Sequence, residues 1–350
     1  MQAIVLVGGE GTRLRPLTFG TPKPMVPIAG VPFLARTVER LHEAGIDEVI
    51  FAAGYMPQAI VDYFGDGSAF KMKITYVIEA EPLGTAGALK NVERYIHGPF
   101  FVLNGDVLTS LDLRAMMEFH RKSGGLGVLH LIRVEDPSAF GCVVHDATGR
   151  ISAFVEKPPK GSEPTDEVNA GTYLLEPSVF AMIPAGRNVS IERETFPAIL
   201  ASDQRLYAYT TNDYWIDLGR PEHYLSAHRD ILSGAMPLAL SSDHERSLPG
   251  EVYVEAGAHI DPTTHLGANV VVGRGCSIGA RVKISNSVLW DEVVIGDDVE
   301  IESSIIASRA RIGAHATIGA GTVIGHDVVI EPGTHIAPDS RIGGTAAAAR

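Results

Sequence analysis

From Val254 onward an aliphatic residue returns at every sixth position, a spacing that few folds satisfy. Val254, Ile260, Leu266, Val272, Ile278 and Ile284 form one run, and Ile306, Ile312, Ile318, Ile324, Ile330, Ile336 and Ile342 form another. Small or β-branched residues stand two positions earlier, among them Ala258, Thr264, Cys276, Ala310 and Thr322. Six residues suit one side of a triangular coil, so the pattern predicts a left-handed parallel β-helix over 251–345. The aliphatic residue fills the interior, and the Gly after it, as in Ile312-Gly313, suits the corner. The phase slips in the middle, because Ile284 to Ile301 and Ile301 to Ile318 each span seventeen residues and not eighteen. ISNSVL and IESSII open these two coils and match in pattern, so the shortened coil is itself repeated.

The first 233 residues read differently. Gln2–Val7, Glu48–Ala53, 74–78 and 100–103 are short apolar runs of the kind buried in a parallel sheet. Helical patterns separate them. One begins after Pro32, with Leu34, Val38 and Leu41 on a face, and stops at Gly45, a helix-ending position. This alternation predicts an α/β, doubly wound, mainly parallel sheet with ligands at the carboxyl ends of its strands. Residues 234–250 carry Pro, Ser and charge without periodicity and read as a linker. The Ala-rich end, 346–350, reads as a disordered tail. At 350 residues, two domains are expected.

Bulk charge excludes some functions. A net charge of −13 argues against general binding of nucleic acid or membrane surfaces, so a phosphate ligand must be held by a few placed cations and N–H groups. Only Cys142 and Cys276 are present, which indicates neither a disulfide framework nor a Cys-rich metal site. The N-terminal apolar run is too short to span a membrane and lacks a basic segment before it, so the chain reads as soluble and cytoplasmic.

Those placed cations are found in LVGGEGTRLRPLTFGTPKPMVP, from Leu6 to Pro27. Gly8, Gly9 and Gly11 let backbone N–H groups approach an anion. Arg13 adds a planar guanidinium fork, and Lys23, between Pro22 and Pro24, adds a point charge. The spacing fits neither GxxxxGK[ST] nor GxGxxG. Asp106 follows the apolar strand of FFVLNGDVL, and Asp217 ends another in YWIDLGRPEHYL. Two hard carboxylates, with phosphate oxygens and water, suit Mg²⁺, which takes few protein ligands. EPLGTAGAL, 81–89, reads as a loop turning into a helix, with Gly84 allowing close approach and Thr85 as cap. Glu156-Lys157 places opposite charges side by side before Pro158. Trp215 and the SIERETFP run of 190–197 read as packing elements.

These motifs, in this order, resemble the sugar nucleotidyltransferases, or nucleotide-sugar pyrophosphorylases. The resemblance implies a loop wrapped around a nucleoside triphosphate, with Leu6, Gly8, Gly9, Gly11, Thr12, Arg13, Glu81, Gly84 and Thr85 binding the nucleotide and Gly84 meeting the base. It implies that Asn104, Gly141, Glu156, Lys157, Asn169 and Gly171 bind the sugar phosphate, Glu156 through hydroxyls and Lys157 through the phosphate. Arg13, Lys23 and Asp106 would be catalytic, and Asp106 and Asp217 would hold Mg²⁺. Within the family the chain looks most like the members that join GTP to mannose 1-phosphate, including those with a hexapeptide tail. Transfer of a uridylyl, thymidylyl or adenylyl group to glucose 1-phosphate, and a non-catalytic sensor of nucleotide sugars, are the alternatives. Hexapeptide repeats also occur in acyltransferases, which use a catalytic His and a loop leaving the coil. Here His259, His265, His315, His326 and His335 lie in the repeats without a long insertion and read as surface residues. Exposed coil edges predict a homo-oligomer, a dimer by frequency of symmetry. Trp290, too large for the coil interior, is expected to point outward, as an interface anchor or as packing on the catalytic domain.

Overall fold

The apolar runs of the first half assemble into one mixed sheet in a computed structural model that describes residues 1–240, 244–248 and 252–343. Its strands are β1 (Gln2–Val7), β2 (Glu48–Ala53), β3 (Lys73–Ile78), β4 (Phe100–Asn104), β5 (Gly127–Arg133), β6 (Gly141–His145), β7 (Ile151–Glu156), β8 (Glu167–Leu175) and β9 (Leu206–Thr211). The order runs β7-β6-β8-β4-β1-β2-β3, with β5 paired to β8 and β9 paired to β5. β1 is parallel to both neighbours, with Ile4 opposite Ile50 on β2 and Val102 on β4. β8 runs antiparallel to β4 and β5. Continuous apolar strands are buried because helices cover them. Ile4, Ile50, Val102, Leu129 and Tyr173 are all fully buried, and Phe100 stacks on Phe180 at 5.2 Å.

The chain leaves β1 toward β2 and β3 on one side and returns with β4 on the other. β1 and β4 therefore flank the point where strand order reverses, and ligands of doubly wound sheets bind there. Gly8 and Gly9 follow β1 directly, and Gly105 and Asp106 follow β4. The Gly105 N–H donates to Leu6 O at 3.0 Å, and a Cβ on Gly105 would lie 2.6 Å from that oxygen. Helix α1 (Phe33–Glu43) buries Leu34, Val38 and Leu41 and ends before Gly45, whose φ is +83°.

Beyond Val252 the chain forms a left-handed β-helix of three parallel sheets. Stacking follows the hexads: Val254 pairs with Val272, Ile260 with Ile278, and Leu266 with Ile284. Ile284 then pairs with Ile301 and Ile301 with Ile318, so the seventeen-residue coils stack in register with their neighbours. One side of each short coil has lost a residue, and Asn286 (φ 47°) and Ser303 (φ 46°) turn those corners. The Gly after the interior residue is not the corner. At Ile312-Gly313 the left-handed residue is His315, with φ 62°. Gly313 is required for another reason: a Cβ there would collide with the Pro332 backbone of the next coil.

The stretch read as a linker contains a strand, His244–Leu248, antiparallel to Val252–Glu255. An edge strand needs only backbone pairing, so its pattern carries no period. Residues 241–243 and 249–250 of that stretch, 251 and 344–345 of the predicted β-helix, and the predicted tail 346–350 lie outside the described residues.

By contacts the chain divides into two compact units, which cut it differently from the division in chain order. One comprises Met1–Gly9 with Arg36–Trp215, and the other Glu10–Ala35 with Ile216 onward. The glycine- and cation-bearing loop of 10–35 therefore belongs to the same unit as the coils. No helix among the described residues is long and apolar enough to cross a membrane.

Ile301 is 2 % exposed in the coil interior, inside the repeated short turn. Ile301→Ala should cost about 2–5 kcal/mol, as the coil cannot collapse around the lost methyls. Chemical denaturation followed by far-ultraviolet circular dichroism checks this.

Candidate functional site

The unit that carries the coils holds the phosphate-type residues. Its loop has little regular structure: three single turns, at Thr12–Leu14, Leu17–Phe19 and Lys23–Met25, and a two-strand hairpin of Pro27–Ile28 with Val31–Pro32. Gly11 is left-handed (φ 62°), and a Cβ there would lie 2.9 Å from Lys23 Cβ and 3.0 Å from Thr18 Cγ2. The Thr18 hydroxyl donates to Gly11 O at 2.9 Å and closes the loop. Gly11 thus brings the Lys23 stem against the turn.

Asp217 completes a charged cluster. Its Oδ1 accepts the Gly219 N–H at 2.7 Å and lies 3.7 Å from Lys23 Nζ. A Cβ on Gly219 would stand 2.7 Å from Arg13 Nη2 and 2.8 Å from Asp217 Oδ1. Arg13 and Asp217 therefore meet at the bare backbone of Gly219, and Lys23 stands beside the same carboxylate. Two cations and one carboxylate leave a net positive site, suited to phosphate oxygens and to a cation bridging them. His223 Nδ1 donates to Asp217 O at 2.8 Å and fixes that backbone.

The other unit holds the base- and sugar-type residues. Asn104, ending β4, touches Gly171, whose φ is +75° and whose Cβ would lie 2.7 Å from Asn104 Nδ2. Asn169 Oδ1 accepts the Gly171 N–H at 3.0 Å, and its Nδ2 donates to Tyr173 Oη at 2.8 Å. Glu156 pairs in register with Gly141, where a Cβ would lie 2.8 Å from the Glu156 Oε2. Lys157 has a left-handed backbone (φ 50°), pinned by its N–H to Phe140 O at 2.9 Å, and its Nζ is 3.6 Å from Glu156 Oε1. Strain at a non-Gly residue of this kind persists only where surrounding structure imposes it. Trp215 donates to Ala170 O at 2.9 Å and packs on Phe140.

Gly84 and Thr85 have roles the sequence did not reveal. Gly84, with φ +70°, starts α2 (Gly84–Val92) where a Cβ would meet Val189 O at 2.6 Å. Its close approach is to the Val189 backbone and the Asn188 side chain. Thr85 does not cap the helix. Its hydroxyl donates to Glu192 Oε2 at 2.9 Å and accepts the Ile191 N–H at 2.8 Å. Ser190 Oγ also donates to Glu192 Oε2, at 2.8 Å. Glu192 was missed because an acid in the first turn of a helix is expected there for the helix dipole alone. Ile191–Thr195 is one π-turn leading into α3 (Phe196–Leu200), and the Glu192 carboxylate on it ties the Gly84 loop to the sugar-type side.

Burial raises the Glu156 carboxyl above its usual range, with the nearby Glu192 adding to the shift and Lys157 opposing it. Burial likewise raises Glu79, which accepts the Leu83 N–H at 3.2 Å below the Gly84 loop. Tyr173, fully buried, is held far above its ordinary value, first by desolvation and then by Glu192. Donors from a polyol would relieve such a cluster of crowded acceptors. Glu81 is exposed on the approach to the same loop, as is Thr12 beside Arg13 on the phosphate-type unit; Leu6 lies at the end of β1.

Residues 2–234 match the nucleotidyl transferase family. The chain belongs to that family. Residues 239–336 match a second family, the EIF2B subunit epsilon LbH domain. Mannose-1-phosphate guanylyltransferase of Mycobacterium tuberculosis is 45% identical over 264 residues, covering 75% of this chain and 72% of that protein. Mannose-1-phosphate guanylyltransferase 1 of Arabidopsis thaliana is 42% identical over 269 residues, covering 74% and 73%. Among solved structures, HddC from Yersinia pseudotuberculosis complexed with GMP-PN is similar at 32% identity and a TM-score of 0.56, covering 65% of this chain and 97% of that one. Nucleotidyl transferases generally work with a divalent cation. Among the described residues no group of three or more His, Cys, Asp or Glu forms a metal cage, so the donor set here consists of isolated hard carboxylates. That set fits a cation whose remaining ligands are phosphate and water.

Behind the phosphate-type loop, His228 Nε2 accepts the Ala29 N–H at 3.2 Å while its Nδ1 donates to Tyr224 O at 2.9 Å. Burial pushes this His down to about 4, and His130 likewise, to about 4. Both folded values lie below the unfolded 6.5, so the unfolded chain binds more protons as pH falls. Stability should therefore decline from pH 6.5 toward 4, and thermal unfolding midpoints across that window check it. His228→Gln should flatten the slope.

Proposed function

We propose that this chain transfers the guanylyl group of GTP to α-D-mannose 1-phosphate and releases pyrophosphate. The observation that carries the reading is the charged cluster in which Arg13 and Asp217 meet at Gly219 and Lys23 lies 3.7 Å from the Asp217 carboxylate, in a chain of this family. An oxygen of the sugar phosphate attacks the α-phosphorus in line. The bond from that phosphorus to the bridging oxygen breaks, and its electron pair leaves with pyrophosphate. Charge builds on non-bridging and leaving oxygens, where Arg13 supplies directed N–H donors and Lys23 a point charge. No covalent enzyme intermediate is needed, which agrees with the inert state of the thiols: Cys142 is buried, and burial pushes Cys276 up to about 12. Asp106 and Asp217 are the residues that would hold Mg²⁺, which neutralises phosphate charge when bound.

On the other unit, Gly8 and Gly9 offer N–H groups, and the Gly84–Thr85 turn with Glu81 takes the base. Glu156, Asn169, Gly141, Gly171 and Asn104 take the sugar, and Lys157 its phosphate. Catalysis then belongs to 1–233 and a supporting role to the coils of 251–345. The protein works in the cytoplasm as a homo-oligomer, with a dimer expected from the prevalence of two-fold symmetry. Support for the mannose and guanine assignments comes from the two relatives named above, each a mannose-1-phosphate guanylyltransferase over most of its length.

A panel of four NTPs against mannose, glucose and galactose 1-phosphates, read by pyrophosphate release with Mg²⁺, tests the assignment. Highest activity with GTP and mannose 1-phosphate is expected. Highest activity with dTTP or UTP and glucose 1-phosphate would sink the substrate assignment while leaving the reaction class, and no release with any pair would sink both. Arg13→Ala should lower kcat by roughly 10² or more, the scale of one lost transition-state donor. Unchanged turnover in that variant would remove Arg13 from the chemistry.

A further inference from the structure

Of two residues of the coils, expected to be a surface His and an outward Trp, His326 is packed against the cation-bearing loop of their own unit and Trp290 reaches it through Tyr224. Trp290 is only 4 % exposed and lies outside the aliphatic interior of the coil. It points away from the coil, as anticipated, but its Nε1 donates to Tyr224 Oη at 3.0 Å. That hydroxyl, fully buried on helix α4 (Pro221–Leu232), donates in turn to Pro27 O at 2.5 Å. Trp290 is therefore not an exposed interface anchor.

His326 acts on the earlier part of the same loop. Its Nε2 lies 3.1 Å from Leu17 O and 3.3 Å from Thr21 Oγ1. A carbonyl only accepts, so Nε2 carries the hydrogen and donates. The ring lies flat on the chain at Gly20, where a Cβ would stand 3.0 Å from His326 Cδ2. It also meets the Trp290 ring edge-on at 5.3 Å. Next to it, Gly325 and Gly343 leave room for Pro16.

The support under His326 is rigid. Gly325 N–H donates to Ile342 O at 2.7 Å in the coil ladder. Asp327 receives both Arg309 Nε and Nη2, at 2.7 and 2.8 Å. The loop between these holds is short. Lys23 stands two residues after Thr21 and four before Pro27, and Arg13 precedes the Pro16–Leu17 contact by three. Each cation is therefore within a few residues of a point fixed by the coils.

We infer that His326 and Trp290 are positioning residues for nucleotidyl transfer, holding the loop so that Arg13 and Lys23 meet the phosphates in register. The inference rests on the nucleotidyl-transfer reading above. Groups that stabilise a transition state must be held to within about half an ångström, and side chains on single turns need outside support to reach that precision. Burial lowers the basicity of His326, so the ring performs this role as a neutral donor.

The test uses the full chain. His326→Ala should lower kcat roughly ten- to hundredfold, as expected for a misplaced catalytic group. KM for the sugar 1-phosphate should stay within about twofold, because the groups assigned to the sugar stand on the other unit. His326→Gln, whose amide can donate to Leu17 O, should recover most of the loss. Hydrogen exchange at residues 17–27 should rise in His326→Ala and return in His326→Gln. If His326→Ala does not fold, His326→Phe, which keeps the ring but not the donor, takes its place. Wild-type turnover in the folded variant, a loss matching only the unfolded fraction, or unchanged exchange at 17–27 would each overturn the inference. If the wild-type chain releases no pyrophosphate with any substrate pair, the functional reading fails separately, and exchange alone decides whether the coils hold the loop.

Discussion

The whole arrangement depends on fixing a loop that cannot fix itself. Residues 10–35 carry Arg13 and Lys23, the two cations proposed to meet phosphate, yet they form only single turns and a hairpin of two-residue strands. Backbone order costs about 1–2 kcal/mol per residue, and such turns return few hydrogen bonds of their own. The missing order comes from packing. Gly11 admits the Lys23 stem, His228 holds Ala29, and Tyr224, fully buried, passes a hydrogen bond from Trp290 to Pro27. A repeated coil suits this task, because each of its residues is fixed by ladders above and below. The hexads that looked like an appendage are structurally part of the loop's foundation.

How much of this was legible in the sequence depends on what kind of constraint each residue obeys. The four strand candidates of the first half and the seventeen-residue coils were visible, because burial imposes a period on the residues themselves. Arg13, Lys23 and Asp217 could be picked out as phosphate chemistry, and the structure brings these three together. Period, however, reports only which side chains face the coil interior. It says nothing of what covers the outside, so His326 was read as a surface residue, and Trp290 was expected to point outward without a choice between an interface and packing on the catalytic domain; its bond to Tyr224 is the latter. The corner was misassigned for a similar reason. Gly313 is glycine because the next coil's backbone passes close by at Pro332, nineteen residues away in sequence, whereas His315 accepts the left-handed turn. Thr85 and Glu192 are joined across 107 positions, beyond the reach of any local motif.

Electrostatics explains why a strongly acidic chain can handle anions. A net charge of −13 repels nucleotides at a distance, and the screening length of about 8 Å at physiological salt confines that effect. Close to Gly219 the balance reverses. Asp217 serves two ends there: its Oδ1 accepts the Gly219 N–H, and its charge offsets Lys23 at 3.7 Å, too long for a hydrogen bond. A carboxylate in this place lowers the mutual repulsion of Arg13 and Lys23, so both can stand near one site before any phosphate arrives.

The other unit solves the opposite problem. Glu156 and Glu192 crowd negative charge, and burial raises the Glu156 carboxyl further. Glu192 takes the hydroxyls of Thr85 and Ser190, while Glu156 has Lys157 at 3.6 Å. A ligand rich in hydroxyl donors gains most from such a site, and an anionic one is excluded from all but the Lys157 side. The left-handed backbone at Lys157 fixes where that side chain leaves the strand, because its N–H is bonded to Phe140 O.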